Sequence, residues 1–213
     1  MTLNDGPTTI QNKLINGLTG VMGENATSVT TLTMTNVTIN STNYGVYLGD
    51  CDAANFSDVD ITCDPNGPDS YSVRGYIRNF VSSDSTYRSG IKAFRIYGLT
   101  SGSSTRDIYR GDRLMLGGGP ANEWGTPLSF ANFTFSDGEI RVNSVEMYNA
   151  THHVTFNHMD FATTGHISIQ YSAHHITFNQ CANVPEIKFY NSSGVRYYPS
   201  ASELASRNIA FNN

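Results

Sequence analysis

Two carboxylates held at a fixed separation can act as acid and base, and Glu139 and Glu186 are placed to do so. Each opens a short alternating segment, Glu139-Ile-Arg-Val142 and Glu186-Ile-Lys-Phe189, with His166-Ile-Ser-Ile169 between them. Stacked on successive coils of one sheet, Glu139, His166 and Glu186 would share an outward column, with Arg141, Ser168 and Lys188 beside it. Two coils of about 4.8 Å each put the carboxylates about 9.6 Å apart. That is near the upper end of the roughly 6.5–9.5 Å that leaves room for a water in inverting glycosidases. Catalysis of sugar-chain cleavage by Glu139 and Glu186 is therefore one expectation.

Other residues point to sugar binding. Trp124, the single tryptophan, stands beside Glu123 in Gly117-Gly-Gly-Pro-Ala-Asn-Glu-Trp-Gly125. An indole stacks on the apolar face of a sugar ring while a carboxylate accepts from its hydroxyls. Basic residues concentrate between 74 and 113, at Arg74, Arg78, Arg88, Lys92, Arg95, Arg106, Arg110 and Arg113, in a chain whose net charge is −5. Such a patch attracts uronate, sialate or phosphate groups, and Arg106, Arg110 and His166 join Trp124 and Glu123 as expected substrate contacts. Asp107 and Asp112 form a second carboxylate pair, set among arginines.

Metal chemistry has weaker support. His152-His153 and His174-His175 recur 22 positions apart, but strict alternation leaves only His153 and His175 outward. Two ligands without a carboxylate or thiol make a poor site, so no metal centre is expected. Asp50, Asp52, Asp58, Asp60 and Asp64 are the one cluster able to offer oxygens to Ca²⁺, with Asp60 and Asp64 on the outward face. Serine is too abundant for any Ser-His-Asp set to be singled out.

The elements that must carry these residues are legible in an internal repeat. His153-Val-Thr-Phe-Asn157, His175-Ile-Thr-Phe-Asn179 and Asn208-Ile-Ala-Phe-Asn212 align, the last step lengthened by an insertion over Tyr197–Leu204. Phe133 falls 21 residues before Val154, and Val37 and Val59 lie 22 apart. Within each segment apolar and polar residues alternate, as in a strand with one buried face. Antiparallel hairpins give no reason for like residues to return at this period. Parallel coils do, because each lies on the last and equivalent positions stack. Val154 over Ile176 and Phe156 over Phe178 extend internal stacks, and Asn157, Asn179 and Asn212 form an amide ladder.

The fold expected is thus all-β: a single-stranded right-handed parallel β-helix with about 22 residues per coil, spanning 29–213. Residues 1–28 show no period and are read as a cap over the open end. From 68 to 125 alternation persists without clean register, as in coils with longer loops.

Composition narrows the classes. Only 15% of the residues are charged, yet regularly spaced Val, Ile, Phe and Tyr exclude disorder. No apolar run is long enough for a membrane-spanning helix, and no secretory signal is visible at the start. Cys51, Cys63 and Cys181 match no zinc spacing and are read as free thiols of a protein made in a reducing cytosol. Nucleic acid is an unsuitable partner for an acidic chain whose aromatics sit at core positions.

The coils Val154-Thr-Phe-Asn, Ile176-Thr-Phe-Asn and Ile209-Ala-Phe-Asn resemble the pectate-lyase-like right-handed β-helix proteins, and among them bacteriophage tailspikes and related tail appendages. Coil period and composition carry the resemblance; no family catalytic motif matches residue by residue. It implies a homotrimeric rod, assembled in the bacterial cytoplasm and located in the virion tail, that binds and often cleaves a bacterial surface polysaccharide (capsule or O-antigen). Two alternatives stay open: a non-catalytic adhesive segment of a tail fibre, and a calcium-dependent polysaccharide lyase.

Overall fold

A computed structural model describes residues 1–23, 29–64, 70–90, 92–117, 129–148, 150–162, 164–170, 172–191 and 193–212. The chain winds as a parallel β-solenoid of about 7 turns. Segments 130–136, 151–157, 174–179 and 209–212 pair in parallel, with Phe133 on Val154, Val154 on Ile176 and Ile176 on Ile209. These are the repeats read from sequence, in the expected register.

The inward positions form a continuous core. Phe135, Phe156, Phe178 and Phe211 make a ring stack with centroid steps of 4.9, 5.1 and 5.1 Å and interplanar angles of 4°, 7° and 5°. Outside it, Asn179 Nδ2 donates to Asn157 Oδ1 at 2.7 Å and Asn212 Nδ2 to Asn179 Oδ1 at 2.7 Å. Like stacks on like because each coil repeats the backbone of the one before it. The expected insertion leads into the helix α1 (Ala201–Ser206), whose Ser200 and Glu203 form a capping box.

The coil turns at a column of left-handed residues. Asn12, Asn36, Asp58, Asp84, Arg106, Asp137, His158 and Gln180 all have φ between 47° and 57°. Asn and Asp tolerate this conformation best among residues with a Cβ. The column is also tied along the axis: Asn36 donates to Asn12 at 2.8 Å, and Arg106 grips Asp84 at 2.6 and 2.7 Å. His158 meets Asp137 at 3.3 Å and Gln180 at 2.6 Å. A second left-handed corner holds Asn132, His153, His175 and Asn208.

Two expectations about extent are corrected. Pro7–Gly23 is itself a coil, paired in parallel with Val29–Cys63 from Pro7 on Thr31 to Gly23 on Leu48. Its inward set is sparse, with Leu14 and Leu18 exposed, so it carries little hydrophobic period. The middle keeps register as well: Tyr71 pairs with Lys92, Thr86 with Ile108, and Lys92 with Arg113. Tyrosines and glycines stand there in inward or corner positions, which hides the pattern.

Glycine is required where coils approach most closely. A Cβ on Gly45 would lie 2.1 Å from Ile61 Cγ2 and 2.6 Å from Ser72 O. Gly45→Ala is therefore expected to destabilise the fold by about 1–3 kcal/mol through overpacking, read as a lowered denaturation midpoint. An unchanged midpoint would mean that the coils separate freely at this point.

Cys51 and Cys63 are buried and Cys181 is half-buried, all three as free thiols. Burial pushes the Cys51 thiol up to about 11, which keeps it protonated and unreactive.

Candidate functional site: an arginine ladder

The expected site residues fall on different faces. His166 stacks between Ser144 and Glu186, whereas Glu139 pairs with Ile108 and Asp160. The column of Glu139, His166 and Glu186 is thus corrected: the true partner of His166-Ile-Ser-Ile169 is Ser144-Val-Glu-Met147, one coil earlier. Glu139 is ion-paired with Arg141, and Glu186 with Arg196 and Lys188. The two carboxylates stand in different columns, and each is engaged by cations.

Arg106 occupies the left-handed corner and is committed to Asp84, whose carboxyl it holds below its ordinary range. Asp107 does not pair with Asp112. It points inward and is fully buried, while Asp112 lies outside, accepting from Asn143 at 2.9 Å and Arg113 at 3.1 Å. Burial lowers the His166 imidazole, and Lys188 adds to the effect. Trp124 and Glu123 lie outside the described residues.

Asp50 and Asp52 both accept from Arg78, at 2.6 and 2.8 Å, and Asp58 is a corner residue. Among the described residues no three His, Cys, Asp or Glu side chains are grouped to hold a metal ion.

One sheet face does gather unbalanced charge. Thr62 pairs with Arg88, Arg88 with Arg110, and Arg110 with Arg141, placing one guanidinium on each of three successive coils. Glu139 answers Arg141. Among the described residues no carboxylate pairs with Arg88 or Arg110, and the Arg110 Nε is buried without a hydrogen-bond partner. A cleft beside them is lined by Thr62, Cys63, Arg88, Ser89, Arg110 and Gly111. Like charges directly opposite on neighbouring strands repel, so a column of arginines favours an anion laid along it. Arg88 and Arg110 are visible in sequence as part of a basic stretch; their stacking with Arg141, beyond that stretch, needs the coil register.

A second basic face has aromatic and anionic neighbours, although Arg95 Nε, like Arg110 Nε, is buried without a hydrogen-bond partner. Arg74 lies over the rings of Tyr44, Tyr47 and Tyr71, 5.8, 5.5 and 5.0 Å from their centroids, and donates to Tyr44 Oη at 3.2 Å. Arg95 lies 4.9 Å over Tyr97 and donates to Tyr71 Oη at 3.3 Å. On the same face Glu146 accepts from Tyr148 at 2.7 Å and faces Arg113 at 3.5 Å. Here the cations already have aromatic and anionic partners.

By its own geometry the chain is a parallel β-solenoid protein with a cationic ladder on one face. No family model, no curated protein and no solved structure matches it.

Proposed function

We propose that this solenoid binds an acidic bacterial surface polysaccharide, a capsule or O-antigen, in the manner of a phage tailspike or tail appendage. The observation that carries the proposal is the ladder of Arg88, Arg110 and Arg141, two of whose members have no carboxylate partner among the described residues. Coils about 4.8 Å apart present guanidiniums at a spacing comparable to one sugar unit. Arg88 and Arg110 can each take a carboxylate or phosphate in a forked pair. A virion tail location and a trimeric rod belong to the same proposal. The engagement of Glu139 and Glu186 by cations favours binding without cleavage, as in an adhesive tail-fibre segment, over hydrolysis or calcium-dependent elimination.

The test is retention of the protein on acidic and neutral bacterial glycans, with and without added salt. Binding is expected for the acidic set alone, weakening with salt. Arg88→Ala with Arg110→Ala is expected to lower affinity about tenfold or more, since charged hydrogen bonds contribute about 1.5–3 kcal/mol each. Equal binding of neutral glycans, or full affinity in that variant, would refute the proposal. Shortened glycan chains after incubation would establish the cleaving alternative.

A further inference from the structure

Four of the six histidines meet on one patch that the proposed function does not use. In each of two successive coils the left-handed corner bends the second histidine back towards the first. His152 Nδ1 and His153 Nδ1 are 2.9 Å apart, and His174 Nδ1 and His175 Nδ1 are 2.6 Å apart. The two pairs stack in register, with His152 over His174 at 5.2 Å and His153 over His175 at 4.3 Å between ring centroids. Asn208, the corner residue of the following coil, lies 2.8 Å from His175 Nε2. Its Nδ2 amide donates to that nitrogen, so the His175 ring proton lies on Nδ1, between the two rings, and is displaced when an ion binds there.

We propose that His152, His153, His174 and His175 form a surface chelating site for a divalent transition ion of the Cu²⁺ or Ni²⁺ class. Two imidazole nitrogens 2.6–2.9 Å apart, each bonded at about 2.0–2.1 Å, subtend about 80–90° at the ion. That angle suits tetragonal Cu²⁺ or Ni²⁺ better than tetrahedral Zn²⁺, and Cu²⁺ stands highest in the affinity order. Among the described residues no three such side chains are grouped to hold one ion, so each pair is a two-nitrogen chelate with its other positions open to water. Pockets against α1, one lined by His153, His175 and Asn208 and the other by His174, His175 and Glu203, leave room for those ligands.

Calorimetric titration of untagged protein with Cu²⁺ tests the site, with the melting temperature recorded with and without the ion. Binding that raises the melting temperature is expected. His153→Asn with His175→Asn keeps a corner residue that Asn132 and Asn208 already supply, and is expected to weaken Cu²⁺ binding about tenfold or more by breaking both chelates. A second variant, His152→Ala with His174→Ala, puts in both places the residue type of Ala131, which pairs with His152; it should show the same loss. His158→Gln with His166→Ser removes the remaining imidazoles using residue types found in the same columns, and should bind as the parent does. Absence of binding by the parent protein, parent-like binding by either quartet variant, or loss of binding in His158→Gln with His166→Ser would overturn the proposal.

Discussion

Replacing Phe156 with alanine is expected to lower the unfolding free energy by about 3–5 kcal/mol. The ring is fully buried, stacked between Phe135 and Phe178, and packed against Phe161 at 5.6 Å. Truncation leaves a void between two rings whose positions are set by their own coils, so little collapse can fill it. In a solenoid each coil touches only its neighbours, and stability is close to a sum of coil and interface contributions. A weakened interface in mid-stack should therefore also loosen cooperativity, giving a shallower denaturant transition. Phe211 occupies the same column but is 47% exposed, and Phe211→Ala should cost much less. Chemical denaturation followed by circular dichroism compares the two; similar losses would show that the column does not act as a core.

Stability should fall as pH rises from about 4 to about 6, because of Asp107. Burial pushes this carboxyl from the 3.8 of a free side chain up to about 6, against the pull of hydrogen bonds from the Ser104 hydroxyl and the Ser85 amide. The folded state then holds a proton that the unfolded chain releases, so folding is favoured below this window and penalised above it. A carboxyl displaced that far penalises the fold by about 3 kcal/mol at neutral pH. Asp84 acts in the opposite sense: its depressed carboxyl stabilises above its ordinary range and loses that effect in acid. Asp107→Asn keeps an acceptor for the Ser85 amide and removes the charge. It should flatten the pH profile and raise stability near neutrality. A variant whose denaturation midpoint follows pH as the parent's does would remove Asp107 as the cause.

The C-terminal coils are readable in sequence because identical residue types recur there: Val-Thr-Phe-Asn, Ile-Thr-Phe-Asn and Ile-Ala-Phe-Asn repeat both faces of one strand. Elsewhere the physics is the same but the residues differ. Tyr87 and Tyr109, buried and stacked at 5.2 Å, fill inward positions where a hydrophobic period would place Val, Ile or Phe. Gly45 and Gly75 leave other such places without a side chain. Pro7–Gly23 shows no period because a lysine, Lys13, stands at the position that pairs with the buried Val37, while Leu14 and Leu18 lie in water. Glu139 misaligns in sequence because Glu-Ile-Arg-Val and Ser-Val-Glu-Met alternate equally well, and only the ladder distinguishes them. The histidine pairs show a different failure: alternation holds along a strand but not through a residue with positive φ. His153 and His175 sit at that residue, so their rings turn towards His152 and His174.

The two left-handed corners keep the same short separation wherever both occur, from Asn132 to Asp137, His153 to His158 and His175 to Gln180. Coils nevertheless differ in length: Gly102 aligns with Phe133, and Ile176 with Ile209, across long steps, while Val154 meets Ile176 after a short one. All of that variation is therefore confined to the remaining sides. The wall between the corners serves as a ruler with fixed graduations. Loops can grow or shrink opposite it without shifting any mark, so new surface can be added to the molecule and its metric kept.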